Sequence, residues 1–212
     1  MDTKFESCST LHTTLRPVPG SAYDWHLQQG SLGFYRDGMN SRVHALASSS
    51  AEAKQAVFKV TCCLPTLALY EKVNQMRIDS RSANGLPIVQ QQFGHCAQDS
   101  SNFEFDGFML DRLREARSPF ERQQVSTIIS EARHLHRELA PRVSGRQWQV
   151  DRMVALELAH KDVLGLGSAF EVVAEVIAAT HAVLDLEQAG NILFDRDGHI
   201  CLADPVAHTF SC

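Results

Sequence analysis

With 212 residues, 44% of them hydrophobic and 21% charged, the chain has the length and mix of one globular domain with two lobes, which excludes a disordered or fibrous protein. The formal net charge is -5, and no stretch clusters Lys and Arg with aromatics, so no nucleic-acid partner is expected. The start, Met1 to Leu15, lacks the apolar centre of a secretory signal, and nowhere do about 18 apolar residues run together, so a cytoplasmic chain with no membrane partner is expected.

Residues 1–20, rich in Ser and Thr and closed by Pro17, Pro19 and Gly20, read as a flexible leader. Leu32 to Tyr35, the turn Asp37-Gly38-Met39-Asn40 and Arg42 to Ala47 predict a hairpin, and Ala56 to Val60 a third strand. Pro65 opens a helix that runs to about Ile78, with Leu69, Tyr70, Val73 and Met76 at helical spacing. Leu86 to Phe93 and Phe103 to Leu110 predict two more strands around a polar loop.

Past Leu113 the pattern turns helical. Ser118-Pro119-Phe120-Glu121 supplies an N-cap, a first-turn proline and a capping-box glutamate, and Val125, Ile128, Ile129, Ala132, Leu135 and Leu139 then form one face. Ser168-Ala169-Phe170-Glu171 announces a second capped helix that carries Val173, Ala174, Ile177 and Ala178 inward, with His181 read as a core residue at its end. Pro141 to Gly167 is only partly legible. Asn191 to Phe194, the turn Asp195-Arg196-Asp197-Gly198 and His199 to Asp204 predict a closing hairpin, marked by its D-G step.

Six cysteines (Cys8, Cys62, Cys63, Cys96, Cys201 and Cys212) show no C-x-x-C pair and no dense framework, and read as reduced thiols. Cys62 and Cys63 follow a strand-like run and Cys201 lies inside another, where a thiol acts as a small buried hydrophobe.

Candidate chemistry stands at the ends of the closing hairpin. A tight hairpin brings Asn191 and Asp204, 13 residues apart, side by side, and amide and carboxylate oxygens suit a hard cation such as Mg2+. Lys59 ends the apolar run Ala56-Val57-Phe58-Lys59, and an ammonium on a buried strand can neutralise phosphate. In Arg36 to Val43, backbone amides at Gly38 and the hydroxyl of Ser41 suit phosphate as well.

Taken together, Phe58-Lys59-Val60, Leu86-Pro87-Ile88-Val89, Met109-Leu110-Asp111-Arg112-Leu113, Gly190-Asn191-Ile192-Leu193 and Gly198-His199-Ile200-Cys201-Leu202-Ala203-Asp204-Pro205-Val206 resemble a group of small bacterial and phage protein-kinase-like proteins. Members of that group carry a G-N-x-x element and have D-P where other kinases have D-F-G. The resemblance covers roughly residues 30–206 and extends to the minimal type III effector kinases of plant-associated bacteria, the Hop class, some of which phosphorylate a host heat-shock chaperone. It implies an α+β class: a truncated bilobal protein-kinase-like fold with a leader at 1–20, a small β-rich N-lobe at 21–112 and a reduced helical C-lobe at 113–212.

The resemblance also implies roles. Lys59 would stand on the α and β phosphates of ATP, steadied by Glu71, 12 residues on, with Glu52 a weaker substitute. Gly38 is the one glycine kept from the G-x-G-x-x-G loop, with Arg36 and Ser41 at the other two places. The Asp111 carbonyl and Leu113 amide would read adenine between Val43, Val57, Met109 and Leu193. Asn191 and Asp204 would hold Mg2+, and Asp185 would orient the acceptor hydroxyl. The family places that aspartate five residues before the asparagine; here the gap is six, which leaves Glu187 as the alternative.

Only eight residues follow Asp204, so a unit without activation loop, A-P-E element or later helices is expected. Pro205 stiffens the segment after the aspartate. The expected activity is ATP-dependent transfer of the γ-phosphate to a Ser, Thr or Tyr hydroxyl of a protein substrate, a host chaperone among the candidates. Delivery into a host cell would then need a route without a signal peptide. A pseudokinase binding module and a small-molecule kinase are the alternatives.

Overall fold

The computed structural model describes residues 15–37, 41–47, 55–79, 84–100, 102–143 and 145–208, with backbone only at 34–37 and 189. The expected phosphate-loop glycine, Gly38, and the substitute Glu52 lie outside the described residues, as do residues 1–14 of the expected leader. The chain divides into two compact units, Met1–Cys62 with Gln91–Met109, and Cys63–Gln90 with Leu110–Cys212. The α+β class holds, with a six-stranded antiparallel sheet and five helices among the described residues. None of these helices is long and apolar enough to cross a membrane.

The first unit is built on the sheet. In chain order the sheet and its helix are β1 (Arg16–Pro17), α1 (Ala22–Gln28), β2 (Leu32–Asp37), β3 (Ser41–Leu46), β4 (Ala56–Thr61), β5 (Val89–Gln98) and β6 (Glu104–Asp111), of which all but Val89, Gln90, Leu110 and Asp111 belong to this unit, and the strand order is β1-β5-β6-β4-β3-β2. Arg16 pairs with Gln98 and Pro17 with Ala97, so the described end of the expected leader is an edge strand. Proline is tolerated there because an edge strand leaves one row of its backbone groups unpaired. The α1 helix had no signal strong enough to be read: it spans seven residues, Ser21 caps it by accepting from the Asp24 amide, and the Ser21 hydroxyl donates to the Cys96 carbonyl at 3.0 Å.

All six residues of β4 are buried, which is why it reads as a continuous apolar run rather than an alternating one. Phe58 is fully buried, stacks on Tyr23 at 6.0 Å and on Phe93 at 5.4 Å, and forms a cluster with Leu15, Val60, Cys96, Ala97 and Phe105. Burial of a side chain of this kind contributes about 1.5–3 kcal/mol. Gly107 is required by that packing, since a Cβ there would lie 2.6 Å from Cys96 Sγ and 3.0 Å from Phe58 Cζ.

The second unit holds α2 (Leu64–Ile78), α3 (Pro119–Leu139), α4 (Gln147–His160), α5 (Gly167–Thr180), β7 (Val183–Leu184), β8 (Ile192–Phe194), β9 (Ile200–Leu202) and β10 (Val206–Ala207). The division falls differently from the expected boundary at 112: α2 buries Pro65, Thr66, Leu69 and Tyr70 and packs on α5 and β10. The α3 helix forms as its sequence dictates, with both halves of the Ser118–Glu121 capping box made and Val125, Ile128, Ala132 and Leu135 buried.

The α4 helix occupies the stretch that was only partly legible. It buries Val150, Val154, Ala155 and Leu158 against α3 and α5, but lacks a Ser, Thr, Asp or Asn cap and interrupts its apolar face with Asp151. The expected N-cap of α5, Ser168, lies inside the helix instead. The Asp162 carboxylate accepts from the Gly167 amide at 2.8 Å and takes the place of a local cap. His181 is likewise corrected: it sits at the helix end in a left-handed conformation, φ 54°, exposed and stacked on Trp148 at 4.5 Å.

Candidate functional site

The site in the second unit is built from the backbone outward. Val206 pairs with Leu184 and Ala207 with Val183, and the Asp185 amide donates to the Pro205 carbonyl at 2.8 Å, so the segments before Asp185 and after Asp204 run side by side. A short helical turn, Ala189–Asn191, then leads into the hairpin, in which Ile192 pairs with Leu202, Leu193 with Cys201 and Phe194 with Ile200. The Ala203 amide donates to the Asn191 carbonyl at 2.8 Å and closes the base of that hairpin.

Two external anchors fix the hairpin. The Leu202 amide donates to the Gly85 carbonyl at 2.7 Å. Arg114 exchanges both backbone hydrogen bonds with Phe194 at 2.8 Å, lays its guanidinium over the Phe194 ring and grips Glu121 with two N–H groups at 2.8 and 3.1 Å. The Arg114 fork and the capping-box amides hold the Glu121 carboxyl down at about 2.

Asn191 Nδ2 donates to the Asp185 carbonyl at 2.9 Å, which fixes the amide's orientation and leaves its oxygen available as an acceptor. Asp204 accepts from the Thr66 hydroxyl at 3.0 Å, in the first turn of α2. The electrostatics follow from this crowding. Burial pushes the Asp185 carboxyl up, Asn191 pulls it down, and the neighbouring charges of Asp204 and Glu187 raise it again. Each of those charges disfavours a negative Asp185, and a cation nearby would offset that effect. The donor set of amide and carboxylate oxygens fits Mg2+.

No protein-family model matches the chain, and no curated protein matches it. The resemblance set out above therefore rests on this chain's own residues.

Asn191, Asp204 and Asp185 come together within the second unit. Glu187 turns to α3, where it meets Arg133 at 3.2 Å, and both side chains are largely exposed. Glu71 is exposed on α2. The Asp111 amide donates to the Ile88 carbonyl and its carboxylate accepts from Gln90, while Leu113 and Leu193 are half-buried.

In the first unit, Lys59 is 5% exposed in β4, opposite the half-buried Val43 of β3, and Ser41 pairs with Thr61. Val57 is buried and Met109 half-buried.

Sequence reasoning missed two residues. Thr66 lies 138 positions from Asp204, and its only sequence signal is its place just after Pro65 at a helix start. Asp151 is 4% exposed; it accepts from Gln147 at 3.0 Å and from the Leu184 amide at 3.3 Å, next to Asp185. Its signal was an acid on an apolar helix face, in a stretch whose helix had not been identified.

A third acidic group lies at the hairpin turn. The Asp195, Asp197 and His199 ligand atoms lie within 4.8 Å of one another. Asp195 Oδ1 accepts from the amides of Asp197 and His199 at 2.9 and 2.8 Å, and Oδ2 meets His199 Nδ1 at 3.0 Å. That carboxylate is already engaged as the cap of the turn.

Proposed function

We propose that the chain is an ATP-dependent phosphotransferase of the protein-kinase type, which moves the γ-phosphate to a Ser, Thr or Tyr hydroxyl of a protein. The observation that carries this reading is the meeting of Asp185, Asn191 and Asp204 at the base of one hairpin, with the Asn191 amide turned so that its oxygen remains available. In protein kinases, an asparagine of the catalytic loop and an aspartate beyond the following strands hold the metal, and a catalytic-loop aspartate accepts the hydroxyl proton. Asn191 and Asp204 would hold Mg2+ here, and the metal would supply neutralisation of phosphate charge.

Asp185 is the better general base than Glu187. Its carboxyl is raised toward the range in which a carboxylate can take a proton, whereas Glu187 is engaged with Arg133 at the surface. Lys59 is proposed as the phosphate lysine on the strength of its burial and of the run Ala56-Val57-Phe58-Lys59.

The test is transfer from labelled ATP with Mg2+ to candidate proteins, heat-shock chaperones included, by wild type, Asp204→Asn and Lys59→Ala. Label transfer that both substitutions abolish supports the reading. A Mg2+-dependent melting shift with ATP but no transfer to any acceptor would leave a nucleotide-binding module without chemistry.

A further inference from the structure

On the second unit, α3, α4 and the segment from β7 to Glu187 enclose a groove of about 650 Å3. That volume lies in the range of small-molecule sites, roughly 300–1,000 Å3. Its floor is apolar, from Ile129 and Ala132 of α3, Val154 of α4 and Leu186.

The polar groups are not balanced around it. Arg133 and Arg137 stand one turn apart on α3 and both line the groove. Arg137 Nε donates to the Arg133 carbonyl at 3.3 Å, and its terminal nitrogens meet no carboxylate among the described residues. Arg133 meets Glu187 through Nε alone, with side chains 56% and 71% exposed, and exposed pairs of this kind hold only weakly. The other acid, Asp151, is spoken for: its oxygens take Gln147, the Leu184 amide and, at 3.4 Å, the His136 ring. An incoming ligand thus meets one guanidinium whose terminal nitrogens face no carboxylate among the described residues, one loosely held guanidinium and an apolar floor.

We propose that this groove binds a small amphipathic organic anion, with its carboxylate or sulfonate on Arg133 and Arg137 and its apolar body on Ile129, Val154 and Leu186. Leu184 and Leu186 line the groove and Asp185 between them does not, so on the proposed function the ligand is assigned as an effector and not as the phosphoryl acceptor. An anion that draws Arg133 away from Glu187 frees a carboxylate two residues from Asp185. That consequence for catalysis rests on the proposed function; binding itself does not.

The experiment is calorimetric titration of the full chain with 2-naphthoate, without nucleotide. Saturable one-site binding is expected, weakened about tenfold in Arg137→Gln and in Arg133→Gln, since each substitution removes one charge-assisted hydrogen bond at an exposed site. Glu187→Gln removes the competing carboxylate, so binding tightens a few-fold. Neutral 2-naphthalenemethanol binds at least about tenfold more weakly than the acid. No binding of 2-naphthoate, or binding unchanged in Arg137→Gln, overturns the proposal. If 2-naphthoate binds as described and ATP turnover is nevertheless absent, the groove stands and the kinase reading falls.

Discussion

At the turn of the last hairpin, Asp195 shares its carboxylate among two backbone amides and the His199 ring, whereas at the base of the same hairpin Asp185 is held between burial and two further carboxylates. The two respond in opposite senses. Burial alone would raise Asp195, but the His199 amide and ring, together with the Asp197 amide, outweigh it and hold the carboxyl below its usual range. Asp185 has the Asn191 contact against burial, Asp204 and Glu187, and is raised. An acid whose lone pairs are used up by its own turn is a structural part. One raised by burial and by neighbouring charge is the kind of group the proposed function needs, able to take up a proton or to gain from a nearby cation.

The largest effect that sharpens this contrast is on the proposed phosphoryl transfer. Asp204→Asn is expected to lower phosphoryl transfer about 10²–10³-fold, comparable to the loss of a directly placed charge-stabilising group. Asp197→Asn, in the turn, leaves the rate unchanged. Initial rates with labelled ATP decide it, and equal losses in the two variants would erase the distinction between base and turn.

Next comes the support of the hairpin. Gly85 holds φ +86°, and a Cβ there would lie 2.2 Å from Leu166 Cδ2, while its carbonyl accepts from Leu202. Gly85→Ala is expected to destabilise the chain by about 2 kcal/mol, from left-handed strain and overpacking together. Urea unfolding measures it; a loss under half a kcal/mol would show that Leu166 moves aside without cost. Asp195→Ala is expected to cost about 1 kcal/mol, because the amides it caps are near water and can be rehydrated. Urea midpoints at neutral pH check that value, with phosphoryl transfer unaltered.

How much of this was legible in the sequence follows from how local each determinant is. The α3 helix, the β4 strand and the closing hairpin could be read because their signals lie within a few residues: a capping box, a continuous apolar run, a D-G turn. The α4 helix could not, since Asp151 breaks its apolar face and its partners, Gln147 aside, come from His136 and from Leu184, 33 residues on. The cap of α5 was misassigned because Ser168 fits the local rule, but a carboxylate five residues upstream of Gly167 reaches the helix start first. The closure of the hairpin at Asn191 and Ala203 was legible because the D-G turn and the two apolar runs fix its register. Thr66 was not, because nothing local ties it to position 204.

The smallest effect is the most direct test of the comparison, because it reads the sign of each carboxyl's shift. Both acids start from 3.8. For Asp185 the folded value is higher, so the native state binds more protons in the window above 3.8. Its contribution to stability is then fully present below 3.8 and lost as pH rises through the folded value. For Asp195 the folded value is lower, so the contribution is present above 3.8 and lost as pH falls through it. Urea unfolding from about pH 2.5 to 7 should therefore show the stability difference between wild type and Asp185→Asn falling with pH above 3.8, and that between wild type and Asp195→Asn rising with pH below it. Slopes of the same sign would mean that the two carboxyls are not in opposed environments. Millimolar Mg2+ with ATP sharpens the test further: a cation held at Asp204 as proposed would offset the neighbouring charge on Asp185, so the first slope should flatten while the second, set by burial, the Asp197 and His199 N–H donors and the His199 charge, stays as it was.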